Sequence, residues 1–145
     1  MVKKLIIALS GLFLLAPLVH AIDIDMKIIS IIESHNNPFA HNKTDDSRGT
    51  YQITPICLAD YNNFHPHARY TLNDLWQHGV NQTIARWYIR FRIPQLLIHF
   101  NQDITEENVL IAYNCGISCV IKGRKPAITR RYIEKYNRLK QKRKE

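Results

Sequence analysis

One glutamate stands apart from the other acids of this chain. Glu33 follows Ile31 and Ile32, and no lysine or arginine lies within four positions of it. A carboxyl held against apolar side chains resists ionising, so its pKa rises. Such an acid can hand a proton to a leaving oxygen near neutral pH, which is what breaking a glycosidic bond requires. The bland alternative is a glutamate exposed at a helix end. Ordinary glycosidases use a second carboxylate, about 5 Å or about 6.5–9.5 Å away. Asp45 and Asp46, in the adjacent polar loop, could supply it, although their polar surroundings also read as those of solvated loop acids. The cysteines and histidines show no paired spacing such as CxxC or HxxxH, so a zinc site is not expected.

Helices must position these groups. Ile24, Ile28, Ile31 and Ile32 recur at helical spacing, predicting a first helix over residues 23–34 with Asp23 or Asp25 as its cap. Asn36-Asn37-Pro38 ends it. Residues 42–49 are polar and loop-like, and Pro55 opens a short helix reaching Tyr61. Residues 62–69, with His65 and His67 around Pro66, read as a surface loop. The longest helical pattern runs through Leu72, Leu75, Trp76, Val80, Ile84, Trp87, Tyr88 and Phe91, and Pro94 ends or kinks it. Leu96 to Phe100 is a short apolar piece. Thr105 before Glu106 and Glu107 marks a helix start that Gly116 stops. Pro126 opens a last helix through about Leu139, on Ile128, Tyr132, Ile133 and Tyr136. No strand alternation, repeat or low-complexity tract stands out. The expected fold class is mainly α, in a single domain.

The first residues read as a targeting segment. Lys3 and Lys4 precede an apolar run from Leu5 to Val19, and Val19-His20-Ala21 suits cleavage after Ala21. The run is short of the roughly 20 residues that span a bilayer, so a secretory signal peptide over 1–21 is favoured over an uncleaved anchor. The rest divides into a domain over 22–137 and a basic tail over 138–145. Export would leave a surplus of six positive charges, suited to acidic polymers such as cell wall, anionic lipid or nucleic acid. Export argues against nucleic acid, and no other run is long enough for a membrane span. The cationic end reads either as solvated and frayed or as a contact for anionic wall or membrane surface. Cys57, Cys115 and Cys119 allow at most one internal disulfide, and buried free thiols are an equal alternative. Asn42-Lys43-Thr44 and Asn81-Gln82-Thr83 fit a glycosylation pattern, which carries little weight here.

Further segments fall around Glu33 in a set order. Glu33-Ser34 is followed by Asn37-Pro38-x-Ala40, then Gly49-x-x-Gln52-Ile53-x-Pro55, then Ala112-Tyr113-Asn114-x-Gly116, and finally Thr129-Arg130-Arg131-Tyr132. In these blocks the chain resembles the soluble lytic transglycosylase catalytic domain, a lysozyme-like helical fold related to goose-type lysozyme. The resemblance implies that Glu33 is the single catalytic acid and base. It puts Gln52 in a sugar-binding cleft, with Gly49 keeping the backbone tight beside it. Tyr113 and Asn114 would face that cleft, Tyr113 hydrogen-bonding Glu33 or the sugar. Ser34 and Asn42 would also be substrate contacts, and Tyr132 would support the site from behind. Asn42 stands where relatives often carry serine, and Tyr51 where they carry methionine. The loop between Asn42 and Gly49 also departs from the common form.

The reaction so implied is cleavage of the bond between muramoyl and glucosaminyl residues of peptidoglycan, leaving a 1,6-anhydro-muramoyl end. It needs no metal or organic cofactor. A hydrolytic muramidase of goose-lysozyme type and a non-cutting peptidoglycan-binding module are the alternatives. The implied partners are glycan strands in the periplasm or outside the cell. Relatives of this size often serve a secretion, conjugation or pilus machine by opening the wall locally.

Overall fold

The computed structural model describes residues 22–145, so the expected signal peptide lies outside the described residues. The described chain is one small, mainly helical domain. Its helices are α1 (Met26–Ser34), α2 (Pro55–Phe64), α3 (His78–Trp87), α4 (Ile93–His99), α5 (Glu106–Cys115), α6 (Ile117–Ile121) and α7 (Ala127–Lys142). A two-stranded antiparallel hairpin, β1 (His41–Asn42) and β2 (Ser47–Arg48), separates α1 from α2, pairing His41 with Arg48 and Asn42 with Ser47. No helix among the described residues is long and apolar enough to cross a membrane.

Local chemistry explains most helix ends. Asp25 caps α1, its carboxylate accepting from the N–H groups of Lys27 and Ile28. His35 and Asn36 close it in the left-handed region, at φ 55° and 62°. Thr54 and Pro55 begin α2, and Thr105 caps α5 by accepting from Asn108 N–H. Ile24, Ile28 and Ile29 are almost fully buried, whereas Ile31 and Ile32 are half-buried. Burying each such isoleucine stabilises the fold by about 1.5–3 kcal/mol. The start of α1 is tied to α7, because Asp25 N–H donates to Tyr136 Oη at 2.9 Å and Arg143 pairs with the Asp25 carboxylate.

Several expectations need correction. The stretch over residues 42–49 contains hairpin strands, and α2 continues three residues past Tyr61. Of the two outcomes expected at Pro94, an end or a kink, the helical run does not end there. The chain passes from α3 through a π-helical stretch, Tyr88–Arg92, into α4. Proline has no N–H to offer the carbonyl four residues back and its ring crowds that carbonyl. Widening to an i→i+5 bond, from Ile93 N–H to the Tyr88 carbonyl, accommodates it. The extra residue shifts the helical register, leaving Phe91 62 % exposed. The short helix α6 was not anticipated. Cys115 and Cys119 form a disulfide across the α5–α6 junction, with Cα atoms 6.2 Å apart, while Cys57 is a buried free thiol. The segment expected as a tail instead continues α7 to Lys142, and Lys140 pairs with Glu106.

One buried amide fastens the hairpin to the helices. Asn81 on α3 is fully buried, which removes it as a glycosylation acceptor. Its Oδ1 accepts from Tyr51 N–H at 2.8 Å, and its Nδ2 donates to the Arg48 and Leu75 carbonyls at 2.8 and 3.1 Å. Gly49 makes this approach possible. A Cβ there would lie 2.4 Å from Asn81 Nδ2 and 2.5 Å from the Leu75 carbonyl oxygen, and φ is +77°. Replacing Asn81 by alanine strands the Tyr51 N–H and the Leu75 carbonyl, each costing about 1–3 kcal/mol where water cannot reach, while the Arg48 carbonyl keeps the Ile53 N–H. We expect Asn81→Ala to lower stability by about 3 kcal/mol or more in urea unfolding. A loss below 1 kcal/mol would show that the amide is dispensable.

Candidate functional site

Glu33 occupies the last turn of α1, and its side chain lines a cleft of about 510 Å³. That cleft is larger than two surface depressions of about 370 and 390 Å³ elsewhere on the molecule. Besides α1, six segments build it. The hairpin contributes Asn42, Asp45 and Ser47, and the following loop contributes Gln52 and Ile53. The start of α2 adds Ile56 and Cys57, and the π-helical stretch adds Tyr88. The end of α5 adds Tyr113 and Asn114, and α7 closes the wall with Ile128.

The carboxyl of Glu33 is raised from its ordinary 4.5 to about 7. Burial is the main cause, and the nearby negative charge of Asp45 adds to it. The Tyr132 hydroxyl and the Lys135 ammonium pull the other way. The residue as a whole keeps intermediate solvent exposure, because one side of it opens onto the cleft while protein crowds the other. Tyr132 Oη is buried and makes no hydrogen bond of regular geometry. The group that it faces is the Glu33 carboxyl, toward which it can turn its proton when that carboxyl ionises. Burial, reinforced by the Glu33 charge, holds the Tyr113 and Tyr132 phenols well above their ordinary range.

The residues singled out from the sequence take different places. Gln52, Asn42, Tyr113 and Asn114 all line the cleft with Glu33. The side chain of Gln52 is largely committed, however. Its Nε2 donates to the Ala40 and Gly49 carbonyls at 3.1 and 2.9 Å, and its Oε1 accepts from Ser47 Oγ at 3.0 Å. It braces the hairpin while presenting one face to the cleft, with its own backbone at φ 49°. Tyr113 does not hydrogen-bond Glu33, since its hydroxyl donates to the Tyr51 carbonyl at 2.7 Å. The preceding bond from Tyr51 N–H to Asn81 fixes that acceptor. Asn114 Oδ1 accepts from Thr129 Oγ1 at 2.8 Å, which joins α5 to α7 and leaves its NH₂ without a protein partner among the described residues. Ser34 is not a cleft residue, because its Oγ donates to the Thr50 carbonyl at 2.8 Å and so pins the end of α1. Tyr132 stands behind the cleft rather than in it.

Other cleft residues escaped sequence reasoning. Ile56 is 81 % exposed and Ile128 64 % exposed, and both line the cleft. Both sit outside the buried stripes of their helices, a signal visible only once those stripes are known. Tyr88 read as a core position, yet it borders the cleft, and burial raises its phenol to about 12. Of the two hairpin acids, Asp45 lines the cleft. Asp46 is instead bound by Arg48 and His41, which hold its carboxyl below the usual range. Chemically, the arrangement offers one carboxylic acid that keeps its proton near neutral pH, a nearby carboxylate, and amide and apolar groups along an open groove.

The Glu33 shift has a thermodynamic consequence. The folded chain keeps a proton that the unfolded chain releases once pH exceeds about 4.5. Stability therefore falls as pH rises through the window from about 4.5 to about 7, and the loss is complete above it. Glu33→Gln removes this penalty. The variant should match the parent near pH 4 and exceed it by up to about 3 kcal/mol at pH 8 in urea unfolding. A difference that does not change with pH would mean that Glu33 titrates normally. No protein-family model, curated protein or solved structure matches the chain.

Proposed function

We propose that this protein cuts the glycan strands of peptidoglycan as a lytic transglycosylase of lysozyme-like fold, with Glu33 as acid and then base. The observation that carries the reading is a carboxyl with a pKa of about 7 in the wall of the larger cleft. A general acid works best when its pKa lies near the working pH. The mainly helical domain, and the ordered blocks around Glu33, Gln52, Tyr113 and Tyr132, support the same reading.

In this mechanism Glu33 gives its proton to the glycosidic oxygen as the bond from the muramoyl C1 breaks. The acetamido oxygen of that muramoyl residue stabilises the electron-poor C1. The Glu33 carboxylate next takes the proton from the same sugar's C6 hydroxyl, whose oxygen closes onto C1. The product is a 1,6-anhydro end, no water is consumed, and Glu33 regains its proton. Tyr132 steadies the carboxylate between the two steps. The NH₂ of Asn114, free of protein partners among the described residues, supplies a donor to the sugar. The reading carries with it export through the segment 1–21 and local opening of the wall, as a secretion, conjugation or pilus machine would need.

A second reading has its own support. Asp45 shares the cleft and acts electrically on Glu33. It could activate water for hydrolysis, as the second carboxylate does in two-acid glycosidases. Mass spectrometry of digested peptidoglycan separates the two, since anhydro ends are one water lighter than reducing ends. We expect anhydro ends, formed by Asp45→Asn as well as by the parent. Glu33→Gln should lower the rate by at least about 10²–10⁴-fold. Reducing ends alone, lost in Asp45→Asn, would establish the hydrolytic reading, and full activity in Glu33→Gln would rule out both.

A further inference from the structure

Positive charge is gathered on α7 and the residues that flank it. Residues 122–145 hold eleven lysines and arginines against two acids, whereas residues 22–121 hold seven against ten. Some of these cations are already occupied. Lys125 pairs with Glu107, Lys140 with Glu106 and Arg143 with Asp25. Arg131, Lys135, Arg138 and Lys142 make no ion pair among the described residues. Their spacing of four, three and four sets them in one line along α7, a run of about 16 Å.

This line adjoins the cleft. Ile128, a cleft residue, lies three and seven positions before Arg131 and Lys135 and so heads the same line. Tyr132, one step toward the core, stands behind Glu33. The Lys135 ammonium is close enough to favour the ionised form of the Glu33 carboxyl. The line therefore starts at the cleft with Ile128, passes Glu33 at Lys135 and runs on along the start of α1, where Tyr136 and Arg143 meet Asp25, while the apolar side chains of the helix turn inward at Tyr132, Tyr136 and Leu139.

We propose that Arg131, Lys135, Arg138 and Lys142 bind the carboxylates of peptidoglycan stem peptides while the glycan lies in the cleft. The proposal rests on the cleavage reading and names which form of the polymer the site takes. Each muramoyl residue carries its peptide on a lactyl ether, and the peptide bears free carboxylates. A muramoyl residue at Glu33 projects that peptide out of the groove, where the lip formed by α7 meets it with unpaired cations. Attraction acts over about a Debye length, some 8–10 Å, and weakens with salt. An anionic bilayer would also be attracted, but a helix that lies in a membrane surface needs an outward apolar face. The outward face of α7 is charged, with Arg130, Arg131, Glu134 and Arg138 exposed.

The test measures binding in a Glu33→Gln background, so that strands stay intact, by calorimetry at low salt. The ligands are soluble uncrosslinked glycan strands with their peptides, and the same strands stripped by an N-acetylmuramoyl-L-alanine amidase. The added changes are Arg131→Gln, Arg138→Gln and Lys142→Gln, all at exposed positions, with the melting temperature as the control for folding. We expect about ten-fold weaker binding to peptide-bearing strands, each exposed pair contributing about two-fold, and a clearly smaller loss on stripped strands, which keep only the single lactyl carboxylate close to each muramoyl ring. High salt should erase the difference. Unchanged binding to peptide-bearing strands, or an equal loss on stripped ones, overturns the proposal. So does tighter, charge-dependent binding to phosphatidylglycerol–phosphatidylethanolamine vesicles than to strands. The cleavage reading fails separately, if the chain with Glu33 intact leaves strands uncut while charge-dependent binding persists.

Discussion

The amide of Asn81 holds the cleft-forming segment at three points. It takes the Tyr51 N–H and serves two carbonyls, one from the hairpin and one from the turn before α3. Gly49 must lack a Cβ for this contact to close. Tyr51, fixed in this way, offers its carbonyl to the Tyr113 hydroxyl across the core. The wall on the α5 side is thus referenced to the wall on the hairpin side through one buried residue. Partial satisfaction of such a network would cost more than an apolar core, which is why all its polar groups are paired.

Against that frame Glu33 is held in tension. Desolvation raises its pKa, while Tyr132 and Lys135 limit the rise. A proton that leaves too readily is absent at neutral pH, and one held too tightly cannot be transferred. The balance falls at about 7 because α7 brings a hydroxyl and a cation to a carboxyl that α1 has buried. The same arrangement stores a stability cost at the site whenever Glu33 ionises, a recurrent feature of functional residues.

α7 links several layers of the molecule. Its inner face supplies Tyr136 to the start of α1 and Thr129 to Asn114. Its middle stands behind Glu33 through Tyr132, and one outer edge carries a line of cations that starts beside the groove at Ile128. Extending the helix through residues 138–142 is what turns a charged sequence end into an ordered surface, anchored by Lys140 on Glu106.

The sequence by itself determined what depends on neighbours a few residues away. Isoleucine spacing, Asp25, Thr105, Pro55 and Gly116 set helices and their ends, because caps and amphipathic stripes are local. The same local reasoning singled out Glu33 by its apolar company. It failed where the deciding partner was distant. The π-helical stretch that turns Phe91 outward comes from resolving the Pro94 clash within a packed run. Ser34 and Tyr113 both spend their hydroxyls on carbonyls of the loop that Asn81 fixes, bonds spanning 16 and 62 residues. The acidity of Glu33 was likewise decided by tertiary structure, since Tyr132 and Lys135 reach it from about a hundred residues away. A pKa follows desolvation and nearby charge in space, and only folding decides which groups become neighbours.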